Sequence, residues 1–545
     1  MSFPAVPTHP YPDQRPGTAG LRKTVDVFRQ PNYLENFVQA VFDCWPKLKG
    51  GVLVVGGDGR YYNDTAIDVV LRMAAANGVR KAIVGRGGLL STPAASLLIP
   101  AQSAAGGFIL TASHNPGGPH GDFGIKFNVD NGGQASESLT DSIHRRTLDI
   151  ERYAIAPAGS TPDLARTGTQ ILAGMEVEVV DPVAHYADVM ERCFDFERMR
   201  ALFKRGQFRM RFDALNAVTG PYATDIIERR LGAPAGSVLH SRPLPDFGGL
   251  HPDPNPHDAA DLVDGFAKPG APDFGAASDG DGDRNMILGP GLVVSPGDSL
   301  AVLAANAHLV PAFRNGLSGL ARSMPTSRAV DRVAARLGIP CYETPTGWRF
   351  FCNLLDAGKV TLCGEESFGT SSNHAREKDG LWAVLFWLNL LAVRREPLAE
   401  ILRRHWREFG RDYFRREDYL IGDVQQAQSL MQHLESSLPE LAGRNAAGSQ
   451  IGSADSFSYR DPVDGSLSRN QGLRVFMADG SRIVFRLSGT GTRGATLRVY
   501  LDRYEPDPSQ QSLSAADALQ YLSRTAHTIA RLQELTGLDR PSQVT

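Results

Sequence analysis

The chain has 545 residues, of which 42% are hydrophobic and 21% charged, and a formal net charge of −3. At roughly 100–200 residues per domain, that length implies three or four domains with their own cores, and the composition excludes extended disorder. The near-neutral balance excludes a general attraction to nucleic acid or to an anionic membrane, so any phosphate site has to be built locally.

The amino-terminal MSFPAVPTHPYPDQRPG places prolines where a signal peptide needs a continuous apolar run. Five scattered cysteines (Cys44, Cys193, Cys341, Cys352, Cys363) contain no C-x-x-C pair and suggest neither a disulfide framework nor a zinc site. A reducing, cytoplasmic location is expected. The strand GVLVVGGDG precedes a predicted helix with Ile67, Val70, Leu71 and Ala74 on one face, closed by Gly78 before KAIVG. FRMRFDALN leads in the same way to a helix carrying Ile226, Ile227 and Leu231, closed by Gly232. A third helix has Val330, Val333, Ala334 and Leu337 at helical spacing, then Gly338 and IPCYETP. The apolar run Leu381 to Val393, interrupted by Asn389, is too short to span a membrane and reads as a buried helix. Beyond about residue 410 the pattern turns antiparallel: GLRVFMADGSRIVFRL reads as two strands joined at Asp479-Gly480. The polar segment near 443–456 reads as a loop, and about 515–535 as an amphipathic helix. The expected fold is α/β, with three related α/β domains (1–187, 188–294, 295–409) and a carboxy-terminal α+β domain (410–545).

Four loops carry chemistry. In GGFILTASHNPGGPHGDFGIKFN a strand delivers Ser113 and His114 into a glycine-rich turn, where an exposed nucleophile is commonly mounted; Thr111 and Asn115 rule out the G-x-S-x-G elbow. In Ser278-Asp279-Gly280-Asp281-Gly282-Asp283-Arg284, alternate carboxylates on a curling backbone can converge on one hard divalent cation. An EF-hand fails there, because Arg284 and Pro290 stand where it needs glycine and glutamate. Three single-oxygen ligands leave coordination positions open, as expected for Mg2+ shared with a phosphate oxygen. Cys363-Gly364-Glu365-Glu366-Ser367-Phe368-Gly369, with Pro345-Thr346-Gly347-Trp348, offers carboxylate, hydroxyl and aromatic partners to a sugar. Arg486-Leu487-Ser488-Gly489-Thr490-Gly491-Thr492-Arg493-Gly494 makes a phosphate cradle. Its literal G-x-G-x-x-G is followed by the strand-like ATLRVYL, which disfavours a dinucleotide fold.

Nucleophile, metal loop, sugar loop and phosphate cradle together describe phosphoryl transfer on a phosphosugar, a small-molecule partner. Through TASHNPGG, DGDGDRNM, PTGWRFF, CGEESFG with REKDGLWAVL, and RLSGTGTRGATLRVY, the chain resembles the α-D-phosphohexomutase superfamily and its glucose-specific phosphoglucomutase branch, from about Pro16 to about Tyr504. The resemblance implies four domains around a central cleft and an isomerase interconverting glucose 1-phosphate and glucose 6-phosphate. It implies phosphorylation of Ser113, Mg2+ on Asp279, Asp281, Asp283 and a phosphoserine oxygen, and glucose 1,6-bisphosphate as primer and intermediate. Lys126 would help remove the sugar hydroxyl proton, His114 and Arg22 would contact the transferring group, and Arg284 joins the catalytic set. Glu365, Ser367, Thr346, Gly347, Trp348 and Lys378 would bind the sugar, and Arg486, Ser488, Gly489, Thr490, Thr492 and Arg498 the non-reacting phosphate. A monomer or weak dimer is expected. Two residues depart from the pattern, Ala19 where serine is usual and Arg493 inside the cradle. A phosphomannomutase or dual-specificity enzyme, a non-catalytic scaffold, and a phosphatase using an aspartyl nucleophile remain as alternatives.

Overall fold

Strands apolar along their whole length need cover on both faces. Val52–Gly57, Gly106–Leu110, Phe274–Ser278 and Asn285–Gly289 are buried at every residue. In the computed structural model of the chain, which describes residues 3, 5–17, 19–159, 161–488 and 495–545, they lie inside the first two of three consecutive α/β sheets built on one plan. A first strand is flanked on either side by parallel second and third strands, and a fourth returns antiparallel beside the third. These are Val52–Gly57, Lys81–Leu89, Gly106–Leu110 and Asp122–Val129 in the first unit. Met210–Asp213, Val238–Leu239, Phe274–Ser278 and Asn285–Gly289 form the second, and Leu320–Ser323, Cys341–Thr344, Leu362–Glu365 and Gly369–Ser372 the third. Leu21–Thr24, Met175–Val180 and Gly168–Leu172 widen the first sheet to seven strands. In each unit the loop between third and fourth strands leaves the carboxyl end of a parallel strand beside the reversal of strand order, where open α/β sheets bind ligands. Ser113, Asp279 to Asp283, and Glu366 to Phe368 occupy that loop in turn.

The expected helix faces are buried: Ile67, Val70, Leu71 and Ala74 on Asn63–Ala76, with Gly78 at φ +80°, and Ile226, Ile227 and Leu231 before Gly232, also at φ +80°. Val330, Val333 and Ala334 are buried on Ala329–Leu337, but Leu337 is 47% exposed; the helix ends on it, and the core does not reach its last residue. The expected boundary between 187 and 188 falls inside helix Ala184–Cys193, which continues because Tyr186, Ala187 and Met190 form one buried face across it. Helix Gly380–Arg394 is buried from Gly380 to Ala392. Asp379 caps it through the amide of Trp382 (3.0 Å), and the Gly380 N–H donates to the Gly282 carbonyl (3.0 Å), setting the helix start under the aspartate loop.

The fourth domain is a seven-stranded antiparallel sheet covered by helices Val424–Leu441 and Ala515–Ala530. Gly480 turns at φ +83° between strands Leu473–Met477 and Arg482–Ser488. The segment expected to be a loop instead contains strands Asn445–Ala446 and Ser449–Ser456. Ile451 is the buried residue of the longer strand, whose polar composition suits a sheet margin open to solvent.

Buried Asn389 accepts from the Asp195 N–H (2.9 Å) and donates to the Leu309 carbonyl (3.2 Å). Asn389→Leu orphans both groups and lowers unfolding free energy by about 1–3 kcal/mol, measurable as a lower chemical-denaturation midpoint.

Candidate active site

Strand Gly106–Leu110 ends beside the aspartate loop of the second unit, and the Ser113 hydroxyl donates to Asp279 Oδ2 at 2.7 Å. Ser113 sits at φ +53°, a left-handed conformation that costs a non-glycine residue on the order of 1–3 kcal/mol and persists only where its surroundings impose it. Asp279 Oδ1 accepts the amides of Asp283 (2.9 Å) and Arg284 (3.0 Å), which curls the loop. Asp281 Oδ2 accepts from the Thr92 hydroxyl (2.6 Å) and pairs with Lys126 (3.1 Å). Asp283 pairs with Lys378 at 3.2 Å.

This donor set fits a divalent cation. Asp279, Asp281 and Asp283 are all buried, and each offers an oxygen within 4.8 Å of the others. Asp281 Oδ1 and Asp283 Oδ1 have no hydrogen-bond partner among the described residues. Burial, then Asp283 and Asp281, push the Asp279 carboxyl well above its ordinary range. A cation there would supply the missing positive charge and engage the orphaned oxygens.

Basic groups crowd the same space. Arg284 lies 3.6 Å from Asp253 and 3.8 Å from Asp283. Burial lowers the Arg22 pKa, with Asp281 opposing that fall. His114 is held well below the usual imidazole value by burial and then by Arg284, Arg22, His251 and Arg498, so it is neutral. For Lys126, burial works against the charge, but Asp281, Glu377 and Asp283 outweigh it and raise the pKa. The amine is therefore a cation as it stands, and the proton-accepting role implied by the resemblance requires it first to lose the proton that these carboxylates stabilise.

The sugar loop meets this cluster through Lys378, 3.9 Å from Glu365. Glu365 Oε1 also accepts the Gly347 N–H (2.8 Å), clipping the two expected sugar loops together. Ser367 is nearly buried, and Thr346 Oγ1 is buried without a partner among the described residues. Trp348 departs from expectation: its ring is 2% exposed and packs against Phe351 (5.0 Å) in the third-domain core, so it offers no face to a sugar. The motif that suggested a stacking surface is a core anchor preceding helix Arg349–Asp356. On the fourth domain, Arg486 and Arg498 pair across adjacent strands, with Ser488 opposite Thr496 at the strand end. Gly489, Thr490, Thr492 and Arg493 lie outside the described residues.

Several neighbours of the site were not singled out from sequence. Thr92 begins a helix in the first unit with Ser91 as its cap; S-T-P reads as a cap but gives no sign of reaching a loop nearly two hundred residues on. Glu377 accepts from Asn128 (3.0 Å) and Gln134 (2.9 Å), joining the first and third units beside Lys126. Glu366, beside the expected ligand Glu365, faces away from it. Its oxygens accept from Ser323 (2.6 Å) and Tyr500 (3.1 Å), and Arg486 lies 3.9 Å away. Burial pushes Glu365 up, whereas Arg486 and Ser323 overcome burial and hold Glu366 below the ordinary value.

A hydroxyl, an acidic triad, a lysine beside a carboxylate and converging arginines, drawn from four domains, define a phosphoryl-transfer site on a multidomain α/β scaffold. Family models for phosphoglucomutase/phosphomannomutase α/β/α domains I, II and III match residues 13–154, 184–291 and 296–409, and a phosphoglucomutase-1 carboxy-terminal domain model matches 411–542. The chain is 54% identical over 540 residues to a phosphoglucomutase of Rhizobium radiobacter, covering 99% of both. It is 50% identical over 561 residues to phosphoglucomutase-1 of Oryctolagus cuniculus, again covering 99% of both. The open-form crystal structure of the Paramecium phosphoglucomutase pp63/parafusin superposes with a TM-score of 0.91 at 46% identity, covering 100% of this chain and 99% of that one. The chain belongs to the phosphoglucomutase/phosphomannomutase family of the α-D-phosphohexomutase superfamily, and is an isomerase of that class.

Adding magnesium to cation-free protein is expected to raise its thermal unfolding midpoint, with about 2.7 kcal/mol of stabilisation at a hundredfold excess over Kd. Asp283→Asn removes most of that shift. Equal shifts in both proteins, read by scanning calorimetry, place the cation elsewhere.

Proposed function

We propose that the chain interconverts glucose 1-phosphate and glucose 6-phosphate, with Ser113 carrying the phosphoryl group and glucose 1,6-bisphosphate as the intermediate. The observation that carries this reading is the Ser113 hydroxyl 2.7 Å from Asp279, at the mouth of an acidic triad that fits a cation. Full-length relatives at about 50% identity that are named phosphoglucomutases support the glucose assignment.

In the forward direction the bond between phosphorus and Ser113 Oγ breaks as a new bond forms to the free sugar hydroxyl. As the bond to phosphorus breaks, the serine oxygen takes up a proton and the sugar hydroxyl gives one up; Lys126, protonated at rest, accepts the hydroxyl proton only as it hands its own on, so that the net transfer carries the hydroxyl proton to Ser113 Oγ. The bisphosphate then reverses in the cleft and returns its other phosphate to Ser113. Mg2+ on Asp279, Asp281 and Asp283 would supply electrostatic stabilisation of the charge on the transferring group. Arg22, Arg284 and neutral His114 line the path of that group, and Arg486 and Arg498 are placed to grip the phosphate that does not react. Glu365, Ser367 and Lys378 hold sugar hydroxyls in either pose. A cytoplasmic location is supported by five free cysteines and by relatives named as cytoplasmic, beside others of equal similarity named as chloroplastic. Among the described residues, no helix is long and apolar enough to cross a membrane.

Incubation with glucose 1,6-bisphosphate and magnesium is expected to yield one phosphopeptide containing Ser113, absent from Ser113→Ala. In that variant turnover of glucose 1-phosphate falls on the order of 10⁴- to 10⁶-fold. Phosphate on an aspartate, or turnover surviving the substitution, refutes the assignment, and parallel assays with mannose 1-phosphate decide the sugar.

A further inference from the structure

Both peptide groups of Ser113 are held by one buried network that the chemistry above does not use. Asp58, fully buried, follows strand Val52–Gly57 in the first unit. Its Oδ2 accepts from the Thr111 hydroxyl (2.5 Å), and Thr111 Oγ1 in turn accepts the Ser113 N–H (2.7 Å). The same carboxylate binds Arg60 at Nε (2.9 and 3.1 Å) and at its backbone N–H (3.1 Å). Arg60 Nη2 donates to the Ser113 carbonyl (2.6 Å), and Nη1 to the carbonyls of Asp122 (2.9 Å) and Asn115 (3.3 Å). The amide and the carbonyl of Ser113 thus lead back to one aspartate by separate routes.

The far side of the network is closed by the second unit. Phe247 covers the guanidinium, 5.2 Å from its ring centre. A side chain at Gly280 would meet the Ser113 carbonyl oxygen at 2.3 Å and Arg60 Nη2 at 3.2 Å, so the aspartate loop packs directly on the gripped carbonyl. Arg60 is 1% exposed and cannot reach a ligand.

We propose that Asp58, Arg60 and Thr111 are positioning residues, a clasp that imposes the left-handed backbone of Ser113 and so aims its Oγ at the cation site and the incoming phosphoryl group. Stability alone gives weak reason to bury such a pair, since buried ion pairs commonly contribute little against apolar replacements. The fork of the guanidinium gives a specific reason: it reaches two carbonyls of the loop, Ser113 and Asn115, and that of Asp122 at the start of the following strand in fixed directions, which a lysine ammonium does not reproduce. The inference rests on Ser113 as the phosphoryl carrier.

The test compares Thr111→Val, which keeps the shape and removes the hydroxyl, with Thr111→Ser, which restores it, and with Arg60→Lys. In Thr111→Val and Arg60→Lys, kcat and the single-turnover rate of Ser113 phosphorylation by glucose 1,6-bisphosphate fall together, on the order of 10²-fold, the cost of misplacing a reacting atom by about 1 Å. KM for glucose 1-phosphate stays within about twofold, because the clasp touches no substrate, and Thr111→Ser recovers most of kcat. Wild-type phosphorylation rates in folded Thr111→Val or in Arg60→Lys overturn the proposal, as does a raised KM with kcat unchanged. Should Thr111→Val fail to fold, Arg60→Lys is judged by the same two rates. Ser113→Ala run alongside separates the two failures: if it retains turnover the carrier reading falls, and if it is inactive while the clasp variants are normal, only the clasp falls.

Discussion

Three carboxylates withdrawn from water on one short turn set the terms for the rest of the molecule. Unit charges about 4 Å apart interact by about 4 kcal/mol at an effective dielectric of 20, so Asp279, Asp281 and Asp283 cannot all be ionised and buried without compensation from nearby. A cation held by the triad would provide part of it. The rest comes from groups belonging to different units: Lys126 and Thr92 from the first, Arg284 from the second, Lys378 from the third. The loop's conformation therefore depends on the docking of its neighbours, and assembly of the three α/β units and assembly of the site are one event. The buried helix Gly380–Arg394 shows this mechanically, because its first residue bonds the backbone of the loop and its body lies in the core that the three units share.

The repeated strand plan explains why the chemistry is divided as it is. Each unit has one loop at the reversal of strand order, and one such loop is too small to hold a nucleophile, a cation and a sugar together. Three copies facing a common space give three such loops, each free to specialise. The first carries a hydroxyl, the second an acidic triad, and the third a carboxylate 3.9 Å from a lysine. Arg22, Arg284 and Arg498, drawn from the first, second and fourth domains, set a common positive field at His114, beside the first unit's hydroxyl.

Much of this was legible in sequence wherever a local rule acts alone. Helix faces at Ile67 to Ala74 and at Val330 to Ala334, glycine turns at Gly78, Gly232, Gly338 and Gly480, and the curling Asp-Gly repeat follow from spacing and backbone freedom. The failures occur where tertiary context outweighs local pattern. Trp348 sits in a motif rich in ligand-like residues, yet its ring is core. Ser449–Ser456 is polar enough for a loop and still pairs as a strand, because one of its faces meets solvent. Arg60 was illegible for a different reason: a lone arginine after GGDG has no spacing signature, and its partners are backbone carbonyls more than fifty residues away that only the fold brings near.

The fourth domain is joined to the third on other terms. The apolar contact between them is small, with Met324 against Phe457, Tyr459, Val484 and Tyr500. Around it runs a charged lattice: Arg482 donates to the carbonyls of Met324 and Thr326 (both 2.8 Å), Arg474 pairs with Glu343 (2.8 Å), and Arg328 with Asp502 (3.3 Å). Interfaces of this small, polar kind permit relative motion, whereas the shared core of the first three units does not. Glu366 sits where such motion would matter, one residue from Glu365 and bonded to Tyr500 beside Arg486. A shift of the strands carrying Tyr500 and Arg486 would reach the 365–367 loop through that carboxylate. The adjacent pair Glu365 and Glu366 thus faces two ways, one toward Gly347 and Lys378 within the third domain and the other toward Tyr500 and Arg486 of the fourth.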